Sequence, residues 1–206
     1  MSLETLRDVL NEQLQNLLNA EKQLVKALPK MAKAASTDEL REAFENHLEE
    51  TRGHVERLGE IFDLMGQKPK GKTCKAMQGL IEEGKEIIEE KSGGTPAAVD
   101  AALIAGAQRV EHYEISAYGS ARVFAEQLGL TDVAKLLLET LDEESQANET
   151  LTEVAKSVNA AAATDASQDE DEATPVGRKM SHSSLSQGRR SKASPSRSKQ
   201  RVPAMR

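Results

Sequence analysis

Apolar residues recur at alternating spacings of three and four through four long stretches of this chain. That spacing places them along one face of an α-helix. Only 2% of the residues are aromatic, whereas sandwiches and barrels draw on many aromatic and β-branched side chains. The sequence therefore predicts an all-α protein.

Glycine, proline and capping residues divide the pattern into four long helices and one short helix. We expect long helices over about 3–35, 38–65, 96–128 and 131–159, and a short one over about 75–91. Ser36 and Glu39 have the spacing of a capping box, and Thr95 with Pro96 has the signature of a helix start. Short turns within each pair of long helices predict two antiparallel hairpins. Two hairpins joined by a long crossover that carries a short helix form the ferritin-like four-helix bundle.

The charges are distributed unevenly along the chain. The whole sequence has 27 bases and 34 acids, a net charge of −7. Residues 177–206 hold nine of the bases and no acid, and residues 165–172 hold five of the acids and no base. Residues 1–164 therefore contain 18 bases and 29 acids, a net charge of −11. Beyond about residue 160 there is almost nothing to bury. We predict a helical domain at 1–160 and a disordered, acidic and then basic tail at 161–206.

Features of membrane-bound, secreted and disulfide-rich proteins are missing from the sequence. No apolar run approaches the roughly 20 residues that span a bilayer, and the first residues lack the order of a signal peptide. The single cysteine, Cys74, excludes an intramolecular disulfide and a cysteine-based zinc site. We expect a soluble, cytoplasmic protein that does not associate with membranes.

Every long helix places glutamate where its apolar face should continue, namely Glu21, Glu50, Glu111 with Glu114, and Glu144. Within each hairpin the glutamates lie at nearly equal distances from the turn, 15 and 14 residues in the first hairpin and 15 and 15 in the second. At about 1.5 Å of rise per residue, they face each other at one level. The sequence therefore predicts a cluster of five carboxylates at the middle of the bundle.

A single glutamate on such a face usually reaches solvent or forms an ion pair, but five at one level require another explanation. Unpaired anions in a bundle core would cost several kcal/mol each, and no Lys or Arg lies nearby on these faces. Shared protons, a water-filled cavity or divalent cations would each relieve the repulsion. Carboxylates and imidazole from four helices are the ligands of dinuclear iron or manganese centres, so we favour a metal site.

Two histidines lie on the helix face of Glu50, with His47 three residues before it and His54 four residues after it. Either could be a metal ligand, and one is better suited to hydrogen-bond a ligand. Tyr118 could hydrogen-bond a carboxylate or fill the core. We expect Glu143 to face solvent.

Four segments of the chain resemble the bacterial YciE/YciF family, which is ferritin-like and stress-associated: NAEKQL at 19–24, HLEET at 47–51, EHYEI at 111–115 and TLDEE at 140–144. The similarity covers about residues 3–160 in the same order and spacing. It implies a compact bundle that forms a homodimer in the bacterial cytoplasm. The site that it implies consists of Glu21, Glu50, Glu111, Glu114 and Glu144, with His47 as the nitrogen ligand.

The sequence departs from the wider ferritin and rubrerythrin pattern at two positions. Those proteins usually have histidine three residues after the second-helix glutamate, and often after the fourth-helix glutamate, where this chain has Gly53 and Ala147. A centre rich in carboxylates suits Mn(II) or Fe(II). We expect two divalent ions, iron or manganese, in a protein that oxidises Fe(II) or reacts with O₂ or peroxide during stress.

An alternative hypothesis is a non-catalytic, stress-related bundle that acts by binding a partner or nucleic acid. The basic tail could hold nucleic acid weakly through phosphate contacts. It has no aromatic residue for base stacking, so it would not recognise a sequence. Iron storage, a third possibility, would require a hollow shell of many subunits.

Overall fold

Five helices make up most of the part of the chain that the computed structural model describes, residues 3–70, 72–90 and 93–171. They are α1 (Leu6–Ala34), α2 (Asp38–Leu64), α3 (Lys75–Glu90), α4 (Pro96–Gln127) and α5 (Thr131–Asp171), and no strand occurs in these ranges. Short turns join α1 to α2 and α4 to α5, and α3 lies in the crossover between the two hairpins. The predicted all-α, ferritin-like bundle is confirmed.

The four long helices enclose the core as a ring. Helix α1 packs against α2 and α4, and α5 packs against α4 and α2. Helix α3 covers α1 and α4 from outside. Within the described ranges, no helix has both the length and the apolar character that a membrane span requires.

The apolar core consists of two clusters that lie on either side of the bundle's middle. The first cluster includes Leu24, Leu28, Leu40, Phe44, Leu103 and Val154. The second includes Leu10, Leu14, Leu58, Ile61, Ala121 and Leu137. On every long helix the change from one cluster to the other occurs at the glutamates and histidines that the sequence singles out. The fold thus places these polar side chains in one layer between two apolar halves.

A buried aspartate from α4 holds the turn between α1 and α2. Asp100 is fully buried, and its carboxylate accepts hydrogen bonds from the Ser36 N–H (2.9 Å), the Ser36 hydroxyl (2.7 Å) and the Thr37 N–H (3.2 Å). Thr37 caps α2 by accepting a hydrogen bond from the Leu40 N–H. The predicted capping box of Ser36 and Glu39 is therefore wrong, because Asp100 engages the Ser36 hydroxyl. The predicted start of α4 is confirmed, with Thr95 as its N-cap.

Three amides on α1 fasten the crossover to the bundle. The Gln15 side chain accepts a hydrogen bond from the Lys70 N–H (2.6 Å), and Asn19 accepts one from the Cys74 N–H (2.8 Å). Gln23 donates to the Cys74 carbonyl (3.2 Å). The spacing of four residues between these amides keeps them on one side of α1. The Cys74 thiol is buried 3.0 Å from the Tyr113 hydroxyl.

The last helix is longer than the sequence pattern predicts. It continues to Asp171 rather than ending near Asn159. The four alanines at 160–163 are the strongest helix formers, and no glycine or proline interrupts the chain before Pro175. The predicted tail lies mostly outside the described residues, and the division at residue 160 stays a prediction.

Replacement of the capping carboxylate should destabilise the bundle. We expect Asp100→Ala to lower the free energy of unfolding by about 3 kcal/mol, since three donors at the α2 start lose a buried, charged acceptor. Urea denaturation of the variant and the parent would measure the difference. The exposed Asp142→Ala is the matched control and should change the value by no more than about 0.5 kcal/mol. Equal effects of the two substitutions would contradict the role assigned to Asp100.

Candidate metal centre

The structure brings six of the seven predicted metal-site residues into one buried layer. None of the six is more than 6% exposed. They come from all four long helices and are Glu21, His47, His54, Glu111, Glu114 and Glu144. Each sits where one apolar cluster gives way to the other, as the equal distances from the turns predict. We call these six residues the central layer.

The central layer contains two overlapping groups that could each hold a cation. In the first, His47, Glu111, Glu114 and Glu144 each offer a ligand atom, and these atoms lie within 4.8 Å of one another. In the second, Glu21, His54 and Glu144 satisfy the same condition. Glu144 belongs to both groups, and bridging carboxylates of this kind hold paired ions in dinuclear sites.

Glu50 is the one predicted site residue that stays outside both groups. Its side chain is 48% exposed at the edge of the layer, and its carboxylate lies 3.3 Å from His47 Nδ1. The spacing of apolar residues in the sequence predicts Ala43 and Glu50 on the inner face of α2, but Phe44 and Thr51 are the buried residues there. Thr51 can be buried cheaply because its hydroxyl donates to the His47 carbonyl at 2.7 Å. The assignment of α2's inner face was therefore wrong by one residue at these two positions.

Both histidines have one nitrogen inside the layer and the other on a more exposed carboxylate. His47 Nε2 lies 3.5 Å from Glu111 and 3.7 Å from Glu144, while its Nδ1 faces Glu50. His54 Nδ1 lies 3.1 Å from Glu144, while its Nε2 is 3.0 Å from Glu143. A histidine held in this way by an outer carboxylate is oriented for its inner nitrogen to bind a metal ion.

Residues around the layer fix the orientation of its members. Arg57 donates hydrogen bonds to Glu143 (2.6 and 3.1 Å) and to the Thr140 hydroxyl (2.7 Å). The prediction that Glu143 faces solvent is correct only in part, because its side chain is 39% exposed but its carboxylate bridges Arg57 and His54. The buried Tyr118 hydroxyl donates a hydrogen bond to Glu21. Sequence reasoning missed Arg57, although its position three residues after His54 gave a signal.

Eight nitrogen and oxygen atoms of the central layer make no hydrogen bond of good geometry with the described residues. They are Glu21 Oε2, His47 Nε2, His54 Nδ1, Glu111 Oε2, both carboxylate oxygens of Glu114 and both of Glu144. Buried polar atoms without partners are costly and are rare in folded proteins. Carboxylate oxygen and imidazole nitrogen are ligand atoms that bind Mn(II), Fe(II) and Zn(II). The residues present therefore fit a metal centre.

Burial is the largest influence on the pKa values of the carboxyl groups of the layer. Without a bound cation, removal from water raises the pKa of Glu21 above its usual value. It raises the pKa of Glu111 and of Glu114 well above theirs, and the charges of neighbouring carboxylates add to the effect. Burial therefore favours the protonated form of these three groups relative to a carboxyl group in water.

The histidine pKa values move upward despite burial. Burial alone would lower the pKa of His47, but the charge of Glu111 and the contact with Glu50 outweigh it and raise this pKa to about 9. Burial is likewise outweighed at His54, where contact with Glu144 contributes to a pKa of about 10. The same contacts overcome the effect of burial on Glu144 and lower its pKa. Two imidazolium ions thus partly neutralise the layer when no metal is bound.

A small cavity leads from the surface to the central layer between α2 and α5. Its volume is about 140 Å³, and Phe44, His47, Glu50, Glu111 and Gln146 line part of it. A space of this size admits water, O₂ or peroxide to the inner edge of His47 and Glu111.

Comparisons with known proteins agree with the fold. Residues 5–164 match the family described as "Domain of unknown function (DUF892)". The chain is 47% identical over 156 residues to protein YciF of Escherichia coli K12, a match that covers 75% of this chain and 93% of that protein.

Three solved structures are similar to this one. The crystal structure of the E. coli stress protein YciF has a TM-score of 0.73 at 46% identity and covers 75% of this chain and 97% of its own. YcfI from Rhodopseudomonas palustris has a TM-score of 0.70 at 41% identity and covers 73% and 95%. Protein XCC3681 from Xanthomonas campestris, at 19% identity and a TM-score of 0.60 with 82% and 99% covered, shares the fold.

The pKa shifts predict that the metal-free protein loses stability as the pH rises. The folded-state pKa values of His47 and His54, about 9 and about 10, lie above the ordinary value of 6.5. Their stabilising contribution is complete below about pH 6.5 and declines toward pH 9 and 10 as they lose protons. The raised pKa values of the buried carboxyls act in the same direction. Urea denaturation of chelator-treated protein between pH 6.5 and 9 would measure the decline.

Two comparisons identify the source of this pH dependence. The double variant His47→Gln/His54→Gln should show a shallower decline, because it lacks the groups that titrate in this range. Saturating Mn²⁺ should also reduce the decline, since bound metal ions displace protons from their ligands. A stability that is constant or rises over this range would contradict the assignment.

Proposed function

We propose that this chain, which belongs to the DUF892 family and is a YciF-type protein, holds two iron or manganese ions in its central layer. The protein would use them to oxidise Fe(II) or to react with O₂ or peroxide as part of stress protection. The observation that carries the proposal is the set of eight buried oxygen and nitrogen atoms that make no hydrogen bond of good geometry within the described part of the chain. Support for a role in stress comes from the E. coli relative, which is described as a stress protein.

The charge of the central layer supports two ions. Its four carboxylates, Glu21, Glu111, Glu114 and Glu144, would carry four negative charges when they are all deprotonated. Two divalent cations balance that charge, whereas one would leave two buried negative charges unmatched. His47 and His54, neutral when they bind metal, would add one nitrogen donor to each ion. The two groups of ligand atoms that share Glu144 correspond to these two positions.

Iron or manganese bound there would supply a redox couple and open coordination positions for an oxidant. The protein's own residues would hold the ligands and handle protons. Tyr118 would fix Glu21, and the Arg57–Glu143 pair would fix His54. These contacts keep the ligands in place before a cation arrives and so reduce the entropy that binding would cost.

His47 connects the central layer with solvent. Its Nε2 faces the buried Glu111, and its Nδ1 contacts Glu50, which is half exposed beside the cavity. Glu111 also lines this cavity, so solvent there can take up directly the protons that Glu111 and His47 lose when a cation binds. The same cavity would let a small oxidant reach the layer.

Metal content should depend on the two groups separately. We expect about two ions per chain in the parent and fewer than about one in Glu144→Gln, because both groups lose their common ligand. Glu114→Gln should affect the first group and leave about one ion, and Glu21→Gln should do the same for the second. Elemental analysis of untagged, full-length protein from cells supplied with iron and manganese, purified without chelator, would give these values.

The exposed Glu149→Gln, on the same helix as Glu144, is the matched control and should retain two ions. Circular dichroism would verify that each variant is folded. A Glu144→Gln variant with normal metal content would overturn the assignment. A parent protein that contains no metal and gains no thermal stability from Fe(II) or Mn(II) would favour the non-catalytic bundle.

Oxidation of added Fe(II) should depend on the same residues. We expect the parent to oxidise Fe(II) with O₂ or with peroxide faster than buffer alone does. Glu144→Gln should lose at least about 90% of this acceleration, because removal of a residue that holds the reacting group typically costs tenfold or more. Absorbance of the Fe(III) product under each oxidant would distinguish the two reactions. Equal rates in the parent, Glu144→Gln and buffer would contradict an oxidase role while leaving metal binding intact.

A further inference from the structure

An apolar groove lies between α1, α3 and α4 and shares no residue with the central layer. Its volume is about 210 Å³. Apolar side chains from all three helices line it, including Leu24, Met31, Leu80, Ile81, Ile88 and Val110. Leu80, Ile81 and Ile88 of α3 remain partly exposed, so the apolar face of this helix is not fully covered by the bundle.

Glycine on two of the three helices keeps the groove open. Gly84 on α3 and Gly106 on α4 both line it. A Cβ atom added at Gly84 would meet no other atom within 4 Å, and one added at Gly106 would meet Ile87 at 3.7 Å, an ordinary contact. Glycine inside a helix costs roughly 1 kcal/mol relative to alanine. The chain thus carries two unfavourable helix residues where side chains would otherwise narrow the groove.

Lysines surround the apolar surface. Lys26, Lys30 and Lys85 lie at the groove. Lys85 pairs with Glu82 at 2.9 Å, whereas Lys26 and Lys30 form no ion pair with the described residues. This concentration of positive charge contrasts with the net acidic character of the domain, which has 29 acids and 18 bases in residues 1–164.

We propose that the groove binds one molecule of an anionic amphiphile, a medium-chain fatty carboxylate. The alkyl chain would fill the space over Gly84 and Gly106, and the carboxylate would lie near Lys26 and Lys30. A cavity of about 150 Å³ accommodates benzene, so the groove is of the size for a single alkyl chain. Neither the central layer nor a metal ion takes part in this binding.

Titration of the full-length protein with decanoate, below its micelle concentration, tests the proposal. Calorimetry should show saturable binding of one decanoate per chain. Gly84→Met should weaken the binding by at least about tenfold, because the new side chain occupies the space of several methylene groups. Lys26→Gln/Lys30→Gln should weaken it by about fivefold, as expected for two partly exposed charges. The second effect should diminish at high salt.

Gly79→Met is the matched control, since it replaces an exposed glycine on the same helix that does not line the groove and also has no atom within 4 Å of an added Cβ. It should bind decanoate like the parent. Thermal melting should show that neither glycine substitution destabilises the protein, because methionine is the better helix former. Equal binding by Gly84→Met and Gly79→Met would overturn the proposal.

Other probes distinguish the chemistry of the ligand. Decanol should bind more weakly than decanoate, and decyltrimethylammonium more weakly still. Equal binding of all three would overturn the role of the lysines. Binding to vesicles of anionic phospholipid without binding to decanoate would overturn the proposal and would indicate a surface that binds membranes instead of a single molecule. The metal content of Gly84→Met should equal that of the parent, so this test and the test of the metal centre can fail independently.

Discussion

Mutual repulsion among four carboxylates in the middle of the bundle is the constraint on which the rest of the structure depends. Glu21, Glu111, Glu114 and Glu144 are almost completely buried, and apolar clusters lie on both sides of them. The bundle can fold around them only if protons, imidazolium or metal cations compensate their charge. Each long helix supplies at least one of these carboxylates or one of the two histidines that can neutralise them. The central layer therefore couples all four helices electrostatically, whereas each apolar contact acts only locally.

The need to orient these groups explains the polar side chains just outside the layer. An imidazole has two nitrogens, and each histidine uses its outer nitrogen to contact a carboxylate that remains partly in water. Glu143 can play this role at His54 because Arg57 balances its charge and thereby lowers its pKa against the effect of burial. Glu50 plays this role at His47 with no Lys or Arg partner among the residues that the structure describes, which is compatible with its greater exposure. The layer is thus closed by hydrogen bonds and an ion pair near Arg57 and is open to solvent near Glu50, where the cavity lies.

The sequence predicts most of this arrangement because helix geometry converts spacing into position. Glutamates at equal distances from a turn must lie at one level, and the structure brings four of the five together. The prediction was less successful where two neighbouring residues compete for the inner face of α2. Thr51 occupies the inner position in place of Glu50, since its hydroxyl can bond to its own helix and a carboxylate cannot. Contacts between distant segments, such as Asp100 with Ser36 and Arg57 with Glu143, depend on the packing of helices and have no periodic signal.

The short helix α3 lines the groove but not the central layer, and its two ends are held unequally. Its N-terminal end is fixed where Cys74 bonds to Asn19 and Gln23 and where Met77 is fully buried. Toward its C-terminal end, Gly84 leaves a space and Ile88 is only partly covered. Local opening should therefore begin in this half of α3 and cost less than opening of the long helices. A ligand in the groove would slow hydrogen exchange mainly in α3, whereas cations in the central layer would slow it in all four long helices. The pattern of protection thus separates the two binding events even when both ligands are present.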